Sequence, residues 1–301
     1  QKEQAEKAKT EAINKAKKAK EAATKTIEKT IVDTTASDTV KLQKLQSSLG
    51  AFAYSATLPS AKNDFKIIEN DLVFLKIANK GGYIIEAKLK KYEKFKKGSG
   101  QIVELIKDNN ASFNLELHTK DNRILNTKDL FFEPTLTSVD GNQILSMKLK
   151  ASPTSYLEYI YVIKPNDYMI DFDIKSQGLN QVLNTAKSPN LAWDLKAFRN
   201  EKSITYEDRY TEVYFEHKDG KIDYTGVSGQ GDEDAEKTTF IAFKQHFFSS
   251  ILLTSTPFET SKLQSEKIFK DEQTDTIFTK QLKSTFPLAL KNGELDYKMN
   301  W

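Results

Sequence analysis

Apolar and polar residues alternate along most of the chain after about residue 64. In the segments 170–175 and 145–150, every second residue is apolar. A two-residue period is typical of antiparallel strands that bury one face. The segments 157–163 and 247–254 carry apolar residues on both faces, which predicts strands that lie between two layers. Residues 64–301 are therefore predicted to form an all-β domain of two antiparallel sheets packed face to face.

Turn residues separate these strand-like segments, and the segment 70–94 shows the arrangement most clearly. It contains two strands joined at 79–82 by the sequence Asn-Lys-Gly-Gly. The glycine pair can supply the positive φ angles that a tight hairpin turn requires. In the first strand, Val73, Leu75 and Ile77 fall on one face. We expect this face to be buried and the hairpin to belong to one of the two sheets.

The residues before the β-rich region predict helices. Residues 1–31 are rich in Ala, Lys and Glu, lack Gly and Pro, and repeat alanine in steps of three, four and four. This eleven-residue period predicts a nearly straight helical stalk, which is either a solvated spacer or one partner of a weak right-handed helical pairing. Residues 32–63 are predicted to be a linker with one short helix at 40–49, ended by Gly50.

Two segments within the β-rich region are predicted to depart from strand structure. Residues 228–237 contain four acidic residues and two glycines, which predicts a mobile loop that tolerates deletion. Residues 286–297 are mixed in character, and we interpret them as a short closing helix. Such a helix would form a rigid joint to whatever follows the chain.

Composition excludes several classes of function. The chain has 301 residues, 45 basic and 42 acidic, so its net charge of +3 is not that of a dedicated nucleic-acid-binding protein. The absence of cysteine excludes disulfides and thiolate chemistry. No run of about 18 apolar residues predicts a membrane span. Because the chain begins with Gln and not Met, we expect it to be a piece of a longer protein.

The residues that commonly carry chemistry are scattered. The three histidines, His118, His217 and His246, do not pair at a spacing that would ligate a metal. No Gly-x-Ser-x-Gly sequence is present to expose a nucleophilic serine. The sequence therefore predicts no catalytic residue, no metal site and no cofactor.

One stretch rich in aromatic residues is a candidate for ligand binding. Between residues 206 and 216, tyrosines alternate with carboxylates, and His246 follows in a later apolar region. Such residues can line a groove for a peptide or a sugar, or they can form a polar ladder on a solvent-facing strand. The candidate groove residues are Tyr206, Tyr210, Glu212, Tyr214 and His246.

Four segments carry a resemblance to a known family. The hairpin at 70–94, the segments 192–215 and 240–250, and the ending at 295–301 together resemble the large periplasmic domain of the bacterial membrane-protein insertase YidC. The resemblance implies a galactose-mutarotase-like β-supersandwich. It also implies a periplasmic domain of an inner-membrane protein, itself soluble and not an enzyme.

The resemblance further implies partners and a function. The expected partners are accessory subunits of the Sec translocon, nascent membrane proteins and the membrane helices of the full-length protein, with no role for nucleic acid. The expected function is support of the insertion and folding of inner-membrane proteins. The insertase groove itself lies in the membrane helices, so none of its residues is expected in this chain.

Two functions from other classes stay open at this point. A carbohydrate-binding protein or mutarotase-like enzyme would share the expected fold. However, mutarotases need a positioned glutamate base and histidine acids, and these cannot be assigned to three unclustered histidines. An adhesin-like surface module is the other alternative.

Overall fold

The computed structural model describes residues 38–226 and 231–301. The stalk predicted for residues 1–31 and the first six residues of the linker lie outside the described residues. Helix α1 (Asp38–Leu49) corresponds to the predicted short helix and is followed by a 3₁₀ turn (Gly50–Phe52) and helix α2 (Ala53–Ala56). Leu45 and Leu49 of α1 are buried in the core, so this helical segment packs on the domain.

The rest of the described chain consists mainly of β-strands. It contains one further short helix, α3 (Ile204–Asp208). The strands are β1 (Phe65–Glu69), β2 (Val73–Ala78), β3 (Ile84–Glu93), β4 (Ile102–Ile106), β5 (Ala111–His118), β6 (Ile124–Asn126), β7 (Glu133–Val139), β8 (Asn142–Lys150), β9 (Tyr156–Ile163), β10 (Ile170–Gln177), β11 (Asn190–Phe198), β12 (Glu212–His217), β13 (Lys221–Tyr224), β14 (Asp232–Lys244), β15 (Ser249–Lys267), β16 (Phe278–Pro287) and β17 (Asp296–Asn300).

The strands form two sheets. The small sheet has the order β1-β2-β3-β4. Within the described residues, the large sheet has 13 strands and follows the order β6-β5-β11-β16-β15-β17-β10-β9-β8-β7, with β12, β13 and β14 branching from β15. The paired strands run antiparallel, as in β9 with β10 and β14 with β15. The prediction of two packed antiparallel sheets is confirmed.

The glycine-containing hairpin joins β2 to β3 as predicted, and it also connects the two sheets. Gly81 and Gly82 have φ angles of 87° and 67°, which are strained for residues with a Cβ. A Cβ on Gly82 would lie 2.8 Å from the ring of Phe132. The hydroxyl of Tyr161 on β9 donates a hydrogen bond of 2.9 Å to the Gly82 carbonyl. The turn is therefore fitted against the large sheet, which explains the requirement for glycine.

An aromatic cluster occupies the centre of the core. The ring of Phe172 on β10 lies 4.8 Å from Tyr161, 5.6 Å from Phe113 and 5.4 Å from Trp301, measured between centroids. Phe172, Tyr161 and Phe113 are buried, as the alternation along their strands predicts. These contacts connect β5, β9 and β10 with the last residue of the chain.

The predicted closing helix at 286–297 is wrong. Strand β16 ends at Pro287, and β17 begins at Asp296. Between them, Asn292 and Gly293 adopt positive φ angles of 53° and 79° in a tight turn, where Lys291 and Glu294 form an isolated β-bridge. In β17 the residues alternate between buried and exposed against β10. The turn pair and this two-residue period favour strand structure, so a helical joint is not formed here.

The predicted acidic loop at 228–237 is wrong for residues 232–237. These residues belong to β14, where Asp232 pairs with Gln264 of β15. Residues 228–230 lie outside the described residues. Ala235 and Thr238 are buried, while the charged side chains between them are mostly exposed. The acidic residues lie mainly on the solvent-facing side of this strand. An acidic loop and a strand with an acidic exposed face have the same composition, so composition alone does not distinguish them.

Candidate binding site: an apolar cleft between the sheets

An open cleft of about 610 Å³ separates the small sheet from the adjacent part of the large sheet. Strands β2, β3 and β4 form one wall, and β10, the start of β15 and the chain end form the other. The wall residues that point into the cleft are aliphatic or aromatic, and include Leu75, Leu89, Leu105, Ile170, Ile251 and Trp301. None of the described residues that line the cleft carries a charge. The cleft is therefore suited to apolar groups.

Aromatic residues surround the mouth of this cleft, and we name Tyr92, Tyr168, Phe247 and Phe248 the aromatic rim. The first three are exposed and Phe248 is half-buried. The ring of Tyr92 lies 5.4 Å from Phe248 and 6.3 Å from Tyr168. Phe247 is 70% exposed and Tyr92 is 45% exposed. A cluster of large apolar side chains in contact with water is a common mark of an interaction surface.

Few polar groups face the cleft, and they leave it uncharged. The indole N–H of Trp301 donates a hydrogen bond of 2.9 Å to the hydroxyl of Ser250. Burial, together with the neighbouring Tyr92, raises the pKa of the Tyr168 hydroxyl above its ordinary value of 10.0. The Tyr168 phenol is therefore neutral at physiological pH. The cleft offers apolar contact with few sites for polar recognition.

The structure brings together three of the five residues that the sequence suggested for a groove. The His246 ring stacks on Tyr210 at 4.3 Å, and its edge faces Tyr206 at 5.4 Å. The Nδ1 atom of His246 is hydrogen-bonded to the carboxylate of Glu201. His246 lies in the turn between β14 and β15 and not in a strand, and it contacts Phe247 of the aromatic rim at 4.1 Å. This cluster therefore stands beside the mouth of the cleft.

The other two predicted residues lie in separate surroundings. Glu212 on β12 pairs with Lys280 and accepts hydrogen bonds from Thr225, at 2.8 Å, and from Ser265. The ring of Tyr214 stacks on Tyr224 of the neighbouring strand at 5.0 Å. Neither residue lines the cleft. Ligand binding by the five predicted residues stays a prediction.

The histidines do not come together in the fold. His118 on β5 lies 3.5 Å from the carboxylate of Glu116, and the ring of His217 on β12 lies 5.4 Å from that of Phe215. In the described part of the chain, no group of three or more His, Asp or Glu side chains is arranged to hold a metal ion. Likewise, no helix in residues 38–226 or 231–301 is long and apolar enough to cross a membrane.

None of the rim residues is among the groove residues predicted from the sequence, although some carry a local signal. Phe247 and Phe248 form an aromatic doublet in the sequence, and both lie at the mouth of the cleft. Tyr92 follows two lysines at the end of β3, and an aromatic residue between charged positions is a usable signal of exposure. The convergence of these residues depends on strand register, which no local pattern reports.

A buried carboxyl group holds the turn that carries Phe247 and Phe248. Glu207 of α3 is 1% exposed, and its carboxylate accepts hydrogen bonds from the backbone N–H groups of Asn200, at 2.8 Å, and Glu201, at 3.1 Å. Gln245, just before the turn, donates to the same carboxylate at 3.3 Å. Burial raises the pKa of Glu207 above its ordinary value of 4.5, and the two backbone hydrogen bonds oppose part of that shift.

This raised pKa predicts a pH dependence of stability. Between pH 4.5 and the folded-state pKa, the native state keeps a proton on Glu207 that the unfolded state has lost. The free energy of unfolding should therefore decrease as the pH rises through this range. Denaturant unfolding at several pH values should show that the free energy of unfolding decreases less steeply with pH in Glu207→Gln than in the wild type. The control Glu259→Gln, at an exposed position, should keep the wild-type slope, and an unchanged slope in Glu207→Gln would contradict the assignment.

Comparison with known proteins identifies relatives over most of the chain. Residues 67–291 match the family described as the YidC periplasmic domain. The chain is 32% identical over 233 residues to the membrane protein insertase YidC of Parabacteroides distasonis, covering 77% of this chain and 36% of the relative. The YidC of Porphyromonas gingivalis strain W83 is 30% identical over 229 residues, which cover 75% of this chain and 35% of the relative. The chain thus spans about a third of the length of these relatives.

The alignments with solved structures are more distant. A putative aldose 1-epimerase from Escherichia coli K12 aligns with a TM-score of 0.46 and 8% identity, covering 79% of this chain and 98% of the epimerase. A galactose mutarotase-like protein from Lactobacillus casei aligns with a TM-score of 0.42 and 12% identity, and the alignment covers 78% of this chain and 99% of that protein.

Proposed function

The chain belongs to the family of YidC periplasmic domains, and from this we propose that it is the interaction domain of a membrane-protein insertase, which supports the insertion and folding of inner-membrane proteins. In this proposal, the apolar cleft holds hydrophobic segments of nascent membrane proteins. The domain works in the periplasm, as the family name implies, and performs no catalysis.

The observation that carries the proposal is the apolar cleft with its exposed aromatic rim. Its volume of about 610 Å³ falls within the range of roughly 300–1,000 Å³ that is usual for ligand pockets. This space accommodates several aliphatic side chains but not a whole membrane-spanning helix of about 20 residues. A short apolar stretch that leaves the membrane or the translocon is the occupant that suits this size and lining.

The proposed partners go beyond this occupant. Accessory subunits of the Sec translocon and the membrane helices of the full-length protein are proposed from the resemblance to the family, and nascent membrane proteins are proposed from both the family and the cleft. The aromatic rim offers one surface for such contacts. We assign no nucleic-acid partner, because the net charge of +3 gives no strong electrostatic attraction for one.

The sugar-binding alternative receives little support from the site. Sugars are recognised by several convergent hydrogen-bonding groups, and the cleft lining contains few polar side chains and no charged one among the described residues. Glu212, the carboxylate among the candidate groove residues, is held by Lys280 and lies outside the cleft. No specific feature favours the adhesin-like alternative.

Tryptophan fluorescence can test cleft binding directly. The chain has two tryptophans, of which Trp193 is buried against Phe243 and Trp301 lines the cleft. In a Trp193→Phe variant, the emission comes from Trp301 alone. We expect a saturable change when a short apolar peptide is added, and no change with a scrambled polar peptide of the same length.

A charge placed in the cleft should remove this response. Ile251→Asp, introduced into the Trp193→Phe variant, should weaken the peptide affinity by at least roughly tenfold, because a carboxylate in an apolar site costs well over 1 kcal/mol. Ile222→Asp, at a position 66% exposed on β13, is the matched control and should leave the affinity unchanged. Equal affinities for the two variants would contradict the proposed site.

A further inference from the structure

A lysine-rich tip projects beside the aromatic rim. We define the basic tip as residues 90–102, which cover the end of β3, the connecting loop and the first residue of β4. It contains Lys90, Lys91, Lys94, Lys96 and Lys97 in eight consecutive positions. With one acidic residue, Glu93, among them, these positions carry a net charge of +4, which exceeds the +3 of the whole chain.

Three of these lysines have no carboxylate partner among the residues that the structure describes. Lys90 forms an ion pair with Glu69 at 2.5 Å, and Lys94 forms one with Glu104 at 3.4 Å. Lys91, Lys96 and Lys97 are exposed, and none of them has an ion pair with a described residue. The tip therefore presents three uncompensated positive charges to solvent.

The backbone of the loop fixes where these charges stand. The carboxylate of Glu93 accepts hydrogen bonds from the backbone N–H groups of Gly98 and of Gly100, the latter at 3.2 Å. The N–H of Phe95 donates to the carbonyl of Asn200 at 2.6 Å, and the Arg199 guanidinium lies over the Phe95 ring at 5.1 Å. Glu93 is thus engaged in holding the loop, and the tip is anchored to the large sheet.

The unpaired lysines adjoin the aromatic rim. Lys91 and Lys97 line a groove of about 730 Å³ together with Tyr92 and Ile102. Lys96 and Lys97 line a second, smaller hollow together with Phe247 and Phe248. Three carboxyl groups also line this hollow, and each is engaged elsewhere: Glu93 with the Gly98 N–H, Glu201 with His246 and Glu207 with the Asn200 N–H. Because Tyr92, Phe247 and Phe248 also border the apolar cleft, the positive charges and the exposed aromatic rings form one continuous surface.

We propose that this surface, formed by Lys91, Lys96 and Lys97 with the exposed Tyr92 and Phe247, docks the domain on a bilayer containing anionic lipid. Aromatic residues settle at the level of the headgroups, and nearby lysines attract anionic lipid phosphates while their aliphatic stems lie along apolar surface. Charge complementarity together with protruding aromatic rings suits a lipid surface better than an acidic peptide. The inference uses the family's association with membranes and does not depend on what occupies the cleft.

Vesicle flotation tests the proposal with the chain as it is. We expect the wild-type chain to float with vesicles in which a third of the phosphatidylcholine is replaced by phosphatidylglycerol, and binding should fall as salt is raised. The variant Lys91→Gln/Lys96→Gln/Lys97→Gln should bind roughly 100-fold more weakly, since each lysine near an anionic surface contributes about 1 kcal/mol.

A matched variant controls for the loss of charge. Lys120→Gln/Lys187→Gln/Lys291→Gln removes the same three charges from exposed positions in loops outside the basic tip and the cleft. It should bind the vesicles as the wild type does. Far-UV circular dichroism and thermal unfolding of both variants should match the wild type, because the altered lysines make no ion pair with described residues.

The absence of cysteine allows a second readout of orientation. An environment-sensitive fluorophore on Phe247→Cys should shift to the blue on anionic vesicles, whereas the same label on Ile222→Cys should not. The proposal is overturned if the wild-type chain does not bind anionic vesicles at low salt, or if both lysine variants lose binding equally. It is also overturned if the tip variant keeps vesicle binding but loses the Trp301 response to peptide, since the surface would then serve a protein partner.

Discussion

Replacing Phe172 with alanine is expected to lower the free energy of unfolding by about 3–5 kcal/mol, the range measured for buried Phe→Ala substitutions. Phe172 is fully buried, and its ring contacts Phe113, Tyr159, Tyr161 and Trp301. The side chains around it come from several strands and cannot all close a cavity at the centre of the cluster. Denaturant unfolding followed by circular dichroism would measure the loss.

The same substitution should also affect the cleft. Trp301 is packed on Phe172 on one side and lines the cleft on the other. Loss of the Phe172 ring should therefore loosen Trp301 and weaken the peptide response as well as the fold. Phe247→Ala, at an exposed position, is the control for stability and should change it by less than about 0.5 kcal/mol. A loss below about 1 kcal/mol in Phe172→Ala would contradict its central position in the core.

Replacing Lys280 with methionine is expected to cost about 3–5 kcal/mol of stability, because it leaves the carboxylate of Glu212 buried without its partner. The side chains of Lys280 and Glu212 are only 12% and 14% exposed. The hydroxyl groups of Thr225 and Ser265 also donate to this carboxylate, but they do not neutralise its charge. Denaturant unfolding at neutral pH would measure the effect.

Two further variants separate charge from packing in this pair. Adding Glu212→Gln to Lys280→Met should restore most of the stability, since a neutral amide can still accept the two hydroxyl hydrogen bonds. Lys237→Met breaks the exposed pair with Glu259 on the same region of sheet and should cost no more than about 0.5 kcal/mol. If Lys280→Met and Lys237→Met cost the same, the pair of Glu212 and Lys280 would not be structurally important.

The regular strands could be predicted from the sequence because their pattern is local. The alternation at 170–175 and the buried face of Val73, Leu75 and Ile77 both follow from the two-residue period of a half-buried strand. The glycine pair at 81–82 was interpretable for the same reason, since positive φ is a property of single residues. These predictions required no knowledge of which strands pair.

The errors arose where composition and structure disagree. Residues 232–237 look like an acidic loop, yet they extend β14, because charges are tolerated on the solvent face of a strand. The segment 286–297 has no clear period, and its turn at Asn292 and Gly293 became informative only once β17 was seen to pair with β10. In both cases, tertiary pairing decided the structure against a weak local preference.

The candidate site was harder to predict than the fold. The cleft is formed by residues as far apart as Leu75 and Trp301, and their meeting depends on the packing of two sheets. The groove suggested from spacing alone is divided, with His246 beside the rim and Glu212 in a separate ion pair. The resemblance of a few segments to a family was more informative than residue spacing, because membership of a family implies the complete fold.

Site-specific photocrosslinking in the full-length parent protein tests the central claim most directly. A photoreactive phenylalanine analogue at Ile251 lies in the cleft, and the same analogue at Ile222 lies on an exposed strand that does not line it. During insertion of an inner-membrane protein into membrane vesicles, we predict crosslinks from position 251 to apolar segments of the nascent chain and few from position 222. Crosslinks of equal yield at both positions, or none at position 251 while insertion proceeds, would contradict the account.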